Sequence, residues 1–380
     1  MMKPLRITGA TVLLADQGLQ QADLLVRDGL IDFGSGQGMR FDASGLLVLP
    51  GIVDLHGDAF ERQIQPRPGV NFPPALAMRD TEAQLLANGI TTAFHGVTLS
   101  WEPGLRSLAA WRAVLDALET ASWTCDMRVH LRWEAFNLDA LDTALADIAA
   151  GRVHLLAFND HTASIVRKLR DPVEGAKYSG RAGMDQADFR ALADRVVSRA
   201  DAVADGLQRI AAAARMAGLP MASHDDDTIA VRDRYRSLGA RICEFPVAEE
   251  VGAAADAAGD FVAMGCPNVV RGRSHLGWAS AARLAEAGIC SVLTSDYYYP
   301  AMIAAAFTLA DRAVLNLGQA WALISENPAR AAGLKDRGVI AAGKRADLVV
   351  VDPAQHRAVA TVVAGRLAFV TAEGSGRLSG

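Results

Sequence analysis

"LVLPGIVDLHGDAFERQIQPRPGV", residues 47–70, decides how this chain is read. An apolar run ends in His56-Gly57-Asp58, then breaks into a loop that sets Arg67 between two prolines. Residues two apart on a strand point to the same side, so the imidazole and the carboxylate can hold one cation between them. Zinc-like metals accept both donor types, at about 2.0–2.2 Å. Alone, such a pair reads as a hydrogen-bonded strand end. The rest of the chain reverses that judgement.

Seven more apolar runs follow: "ITTAFHGV", "MRVHLRWE", "RVHLLAFND", "PMASHD", "ARICEFP", "FVAMGCPNV" and "CSVLTSD". Helical stretches lie between them, among them "SLAAWRAVLDALETA", "DAVADGLQRIAAAARMAG" and "HLGWASAARLAEAG". Eight βα units predict a (β/α)8 TIM barrel over residues 49–334. A doubly wound sheet would carry a glycine-rich phosphate turn after its first strand, and none is there. Residues 1–48 and 335–380 alternate in the manner of strands and carry glycine punctuation. They predict one small β-sandwich domain built from both ends of the chain. Residues 162–190 are long, polar and glycine-containing, and read as an active-site loop or lid.

The bulk numbers narrow the class. The chain has 380 residues, 51% hydrophobic and 21% charged, with a formal charge of −5. That charge argues against nucleic acid as partner, yet leaves room for a local basic cluster facing a small anion. No apolar run approaches the ~18–20 residues that span a bilayer, so no membrane partner is expected. The N-terminus has no clear cleavage pattern. Cys125, Cys243, Cys266 and Cys290 form no CxxC pair and read as small buried hydrophobes in a reducing cytoplasm.

In a barrel of this kind, reactive side chains gather at the C-terminal ends of the strands. Here those ends carry His56 and Asp58, Glu134, Asp160 and His161, His224, and Asp296. Buried polar groups need partners, and this many at one mouth predict a metal site. The expected ligands are His56, Asp58, Glu134, His161, His224 and Asp296. Asp160 and His161 are adjacent, so only one of them turns inward. His161 is taken as the ligand, and Asp160 as a carboxylate that orients it. Strand parity puts Ala222, His224 and Asp226 on one face and Asp225 on the other, so Asp225 is expected to orient a ligand histidine. Asp296 is the expected general base. Arg67, Lys177, Arg271 and His275 fall in loops after strands and could together cradle an anionic substrate. His130 and His154 read as core or bottom-face residues, and His95 as a residue behind the ligands.

The runs "LVLPGIVDLH" and "ENPARAAGLKDRGVIAAGKRADLVVVD" resemble the entry to and exit from the barrel in the amidohydrolase superfamily. "HGDAFERQIQPRPGVNFP", "NDH", "ASHDDDT", "CEFP", "MGCPNVVRGRSHLGW" and "SDYYYP" are similar to the diphosphatases of the carbon–phosphorus lyase pathway. That resemblance implies hydrolysis of α-D-ribose 1-methylphosphonate 5-triphosphate to the 5-phosphate and pyrophosphate. It implies one or two divalent ions, zinc first, with manganese, iron or nickel as alternatives. A homo-oligomer and a cytoplasmic location are also expected. The chain departs from the superfamily in carrying HxD where HxH is usual. It has Glu244 where a sixth-strand histidine is usual, and no fourth-strand lysine. The competing expectation is a metal-dependent amidohydrolase acting on a cyclic amide or another carbon–nitrogen bond.

Overall fold

The computed structural model describes residues 4–15, 18–67, 69–272 and 279–380, with the backbone alone at Arg181. Eight strands run parallel and in chain order: Ile52–Gly57, Ile90–Leu99, Asp126–Glu134, Leu155–Asn159, Met221–His224, Ile242–Glu244, Phe261–Gly265 and Val292–Thr294. All eight expected runs are strands. In the seventh, only Phe261–Gly265 is extended, and Cys266 opens a helix, Cys266–Arg271, with Pro267 in its first turn, where a missing N–H costs nothing. The first and eighth strands meet through a parallel bridge between Gly57 and Asp296. Asp296 N–H donates to His56 O at 2.9 Å, and Asp58 N–H donates to Asp296 O at 2.9 Å. The sheet is therefore closed, which leaves its strands no open edge. The architecture is a TIM barrel with a separate sheet.

Alternation divides the barrel strands into two faces. Val53, Leu55, Phe94, Leu155, Ala157, Ala222, Ile242, Ala263 and Val292 fill the interior. The outer faces pack on the helices. Trp111, Trp133, Phe158 and Tyr235 belong to one such layer, and Trp321, Phe307 and Leu293 to another. Above the apolar interior, the same inward positions become polar, and the candidate site lies there.

The second sheet has nine strands and joins both ends of the chain. Leu5–Leu14, Gly18–Arg27 and Leu47–Pro50 come from the first part, and Leu348–Asp352, Arg357–Val363 and Arg366–Val370 from the last. Leu47–Pro50 pairs antiparallel with Leu348–Asp352, which brings the two ends together. Its core contains Ile7, Val12, Leu24, Phe41, Val48, Leu348, Val350 and Val362.

Residues 162–190, expected as an active-site loop or lid, are helical and not a loop. They form helices Thr162–Lys168 and Pro172–Ala182 and the start of Gln186–Val197. The signals are local. Asp171 accepts from Val173 N–H and Glu174 N–H ahead of a proline at the first helical position. Gly183 ends that helix in the left-handed conformation, and Asp185 caps the next. Ile165, Leu169, Phe189 and Ala193 bury a small core of their own against Trp101. The helix expected over residues 275–288 spans Ala281–Glu286, with residues 273–278 outside the described part.

The two sheets meet where Gly51 N–H donates to Asp347 O at 2.8 Å. Trp321 Nε1 donates to Pro50 O at 3.0 Å, and Arg337 Nη1 reaches Asp126 Oδ2 and Thr92 Oγ1, both at 2.7 Å. A Cβ on Gly51 would stand 2.5 Å from Thr91 Oγ1 and 3.0 Å from the Asp347 carbonyl carbon. Gly51→Ala is expected to cost about 1–3 kcal/mol through overpacking and to lower the thermal midpoint by several degrees. A midpoint unchanged from the parent would contradict this account of the junction.

Candidate metal centre at the barrel mouth

His56 reaches the interior through an irregularity. The register between the first and second strands shifts between Asp54 and Gly57. The extra residue lets consecutive side chains, Leu55 and His56, both face inward, as a bulge does at barrel rims. Across the barrel, inward parity brings His130, Arg132 and Glu134 from the third strand, His224 from the fifth and Glu244 from the sixth.

Two groups of donors converge. His56, His224 and Glu244 place one ligand atom each within 4.8 Å of one another, and so do His161, His224 and Asp225. His56 Nδ1 is 3.1 Å from Glu244 Oε2, and His130 Nε2 is 3.7 Å from the same oxygen. The rings of His56 and His224 have centroids 5.1 Å apart. A Cβ on Gly96 would lie 3.3 Å from His56 Nε2 and 3.3 Å from Arg132 Cδ, so the second strand stays bare at that point.

Arg132 holds the centre of the mouth. Its Nη1 is 3.4 Å from Asp58 Oδ2 and its Nη2 is 3.1 Å from His224 Nε2. His161 sits between carboxylates, with Nδ1 3.2 Å from Glu134 Oε2 and Nε2 3.2 Å from Asp225 Oδ2. Its backbone N–H also donates to Glu134 Oε1 at 2.9 Å, and Thr162 Oγ1 donates there at 3.1 Å.

These contacts rearrange the expected roles. His56, His161 and His224 meet in the donor groups. Asp58, Glu134 and Asp296 stand beside those groups and in neither. Asp58 is paired to Arg132, and Glu134 is committed to His161 and Thr162. Asp225 corrects the parity argument. Its φ of 60° turns the backbone left-handed past the strand end, so its carboxylate returns to His224 and His161. Asp226 is correspondingly diverted outward, where it meets Ser223 and lies 3.7 Å from Arg232 Nη1. Asp160 is exposed and meets the Thr162 backbone amide, not a histidine.

The described residues of the expected anion cradle are exposed. Lys177 is exposed and paired with Glu174 on its own helix. Arg67 is exposed in a turn that pairs with Val70. Arg271 is exposed, with Nη1 3.4 Å from Tyr297 Oη. His275 lies outside the described residues. The cations that act on Asp58 are instead Arg132, then Arg106 and Arg62.

Three residues of the mouth stood outside the expected ligand and substrate-binding sets: His130, Arg132 and Glu244. Counting back by twos from Glu134 places Arg132 and His130 on its own inward face, and His130 is fully buried, as a core residue is. Glu244, in "CEFP", is a charged side chain at the inward end of a strand that is otherwise wholly apolar. It is completely buried.

Burial sets the protonation states. It pushes His224 down to about 4 and His130 to about 3, and holds His56 well below its ordinary range, so all three are neutral. His161 behaves in the opposite way. Burial opposes its charge, but hydrogen bonds to Asp225 and Glu134 outweigh that and raise it to about 9. Burial, reinforced by the Asp58 carboxylate, lifts Asp296 to about 7 against the pull of Arg132. Glu244 Oε1 is buried without a hydrogen-bond partner among the described residues, and His224 Nδ1 lies 3.1 Å from Asp225 Oδ1. Neutral imidazoles beside an uncommitted carboxylate oxygen fit a divalent cation.

His95, expected behind the ligands, points outward. It packs edge-on against Phe60 with both ring nitrogens unpartnered among the described residues. Burial lowers it from 6.5 to about 4. As pH falls from 6.5 toward 4, the unfolded chain takes up this proton first, so stability present above 6.5 is lost across that window. Thermal midpoints measured from pH 7 to pH 4 are expected to fall less in His95→Phe than in the parent. Equal slopes would contradict this.

The "Amidohydrolase family" model matches residues 47–375. The α-D-ribose 1-methylphosphonate 5-triphosphate diphosphatase of Escherichia coli K12 is 33% identical over 317 residues, 81% of this chain and 84% of that protein. Among solved structures, N-acetylglucosamine-6-phosphate deacetylase from Pasteurella multocida superposes with TM-score 0.64 at 11% identity, over 95% of this chain and 98% of that one. A β-aspartyl dipeptidase from Fervidobacterium islandicum AW-1 gives 0.64 at 15% identity, over 97% and 96%. At such identities the two structures speak for the fold alone. Sequence match and barrel architecture agree: the chain belongs to the amidohydrolase family.

Proposed function

We propose that this hydrolase uses a divalent metal to cleave α-D-ribose 1-methylphosphonate 5-triphosphate to the 5-phosphate and pyrophosphate. One observation carries the reading: donor atoms of His56, His224 and Glu244 lie within 4.8 Å of one another, fully or nearly buried, beside a buried guanidinium. The identity to the E. coli enzyme of that name supports the substrate. Two imidazoles and a carboxylate suit zinc, and manganese, iron and nickel accept the same donors.

His56, His224 and Glu244 would hold the ion, with His161 and Asp225 offering an adjoining place that shares His224. A divalent ion supplies Lewis acidity there, lowering the pKa of water and drawing charge from a phosphoryl oxygen. Asp296 takes the proton of the attacking water at its carboxylate. A group poised near 7 can hold that proton and return it to the departing pyrophosphate. Arg132 is a fixed positive charge that faces the phosphoryl oxygens without reorganising. Arg271 and Arg67 are exposed cations available to the outer phosphates.

The purified chain is expected to release pyrophosphate from the ribose triphosphate faster than from nucleoside triphosphates, with phosphate and pyrophosphate assayed separately. Release of neither, with turnover of a hydantoin or lactam, would sink the phosphoanhydride reading in favour of amide hydrolysis. Asp296→Asn should lower kcat by about 10²–10⁴ while bound metal stays at the parent level. Glu244→Gln should weaken metal retention by more than about tenfold in a chelator competition read by elemental analysis.

A further inference from the structure

The side of the mouth away from Glu244 holds polar atoms that neither the fold nor the donor groups employ. Thr98 Oγ1, Arg132 Nε and both amide atoms of Asn159 are buried with no hydrogen-bond partner among the described residues. Thr98 is 2% exposed, Arg132 6% and Asn159 0%. They stand on three neighbouring strands. Thr98 is paired directly with Arg132, and Asn159 with Glu134 two residues further along the same strand. Parity turns all of them inward. Phe94 and Ala157, four and two residues earlier on their strands, belong to the barrel interior. Gly96, between Phe94 and Thr98, faces His56 and Arg132.

A buried polar atom left unpaired costs free energy, and several gathered on one wall call for a common partner. Guanidinium, hydroxyl and carboxamide are the donors that match the tetrahedral oxygens of a phosphoryl group. We propose that Thr98, Arg132 and Asn159 form a phosphoryl-binding wall beside the metal donors, and that Thr98 and Asn159 position the phosphoryl group under attack. The wall holds nonbridging oxygens by hydrogen bonds, and no covalent step passes through it. This rests on the phosphoanhydride reading only for the identity of the anion.

The test titrates inorganic orthophosphate into the full chain by calorimetry, before and after metal removal, with succinate as a carboxylate control. Thr98→Val and Asn159→Asp nearly preserve side-chain shape, and their thermal midpoints and metal content are measured in parallel. The parent is expected to bind orthophosphate in both states and more tightly than succinate. Thr98→Val should weaken phosphate binding about tenfold. Asn159→Asp should weaken it further by adding a negative charge, with metal content unchanged in both. Phosphate affinities of both variants within twofold of the parent would overturn the proposal, as would a preference for succinate. If the parent hydrolyses the ribose triphosphate while the variants still bind phosphate normally, the wall fails and the function stands. If no phosphoanhydride is cleaved but both variants lose phosphate binding, the wall stands and the function fails.

Discussion

The pairing of Gly57 with Asp296 is the contact on which the site depends. Two backbone hydrogen bonds, His56 O to Asp296 N–H and Asp296 O to Asp58 N–H, join the first strand to the eighth. They close the barrel, and they fix three polar side chains at once. His56 and Asp58 flank the bonded glycine, and Asp296 is held at a φ of 55° that a side chain accepts only under constraint. A closed sheet cannot slide in register at one strand without breaking pairing at all the others. Donors anchored this way keep their spacing without help from a bound ligand.

Electrostatics at the mouth follows from that rigidity. Neutral imidazoles and carboxylates share a buried space, and Arg132 sets a buried guanidinium beside them. Its two terminal nitrogens divide between Asp58 and His224. The guanidinium thus ties the first strand to the fifth through the third. It offsets the charge of Asp58 and lowers Asp296 against the effect of burial. His161 is held separately, with its two ring nitrogens 3.2 Å from Glu134 and Asp225. The mouth therefore has a neutral-nitrogen side and a charged-pair side, with His224 on the boundary.

Much of the barrel was legible because strand period and helix caps are local properties. "LPGIVDLH" and "CSVLTSD" announce strands by composition, and their terminal polar residues announce an active end. The helices of residues 162–190 were legible too, since Asp171-Pro172 and Gly183 mark a start and a stop. A polar composition outweighed those caps in the reading as a loop. Glu244 and Arg132 stayed outside the expected site for another reason. A short apolar strand ending in one glutamate, or a strand of alternating basic residues, is common wherever charges meet solvent. Nothing within either segment says that its neighbours are histidines.

By itself, the sequence determined the class of fold, the strands that form the barrel and the types of donor at their ends. These follow from side-chain period and from the chemistry of each residue. Only the tertiary structure decided which donors share a point. That choice turns on the shifted register before Gly57, the left-handed turns at Asp225 and Asp296, and the alignment of strands far apart in the chain. Each is a relation between segments, and parity counted along one segment cannot register a neighbour's offset.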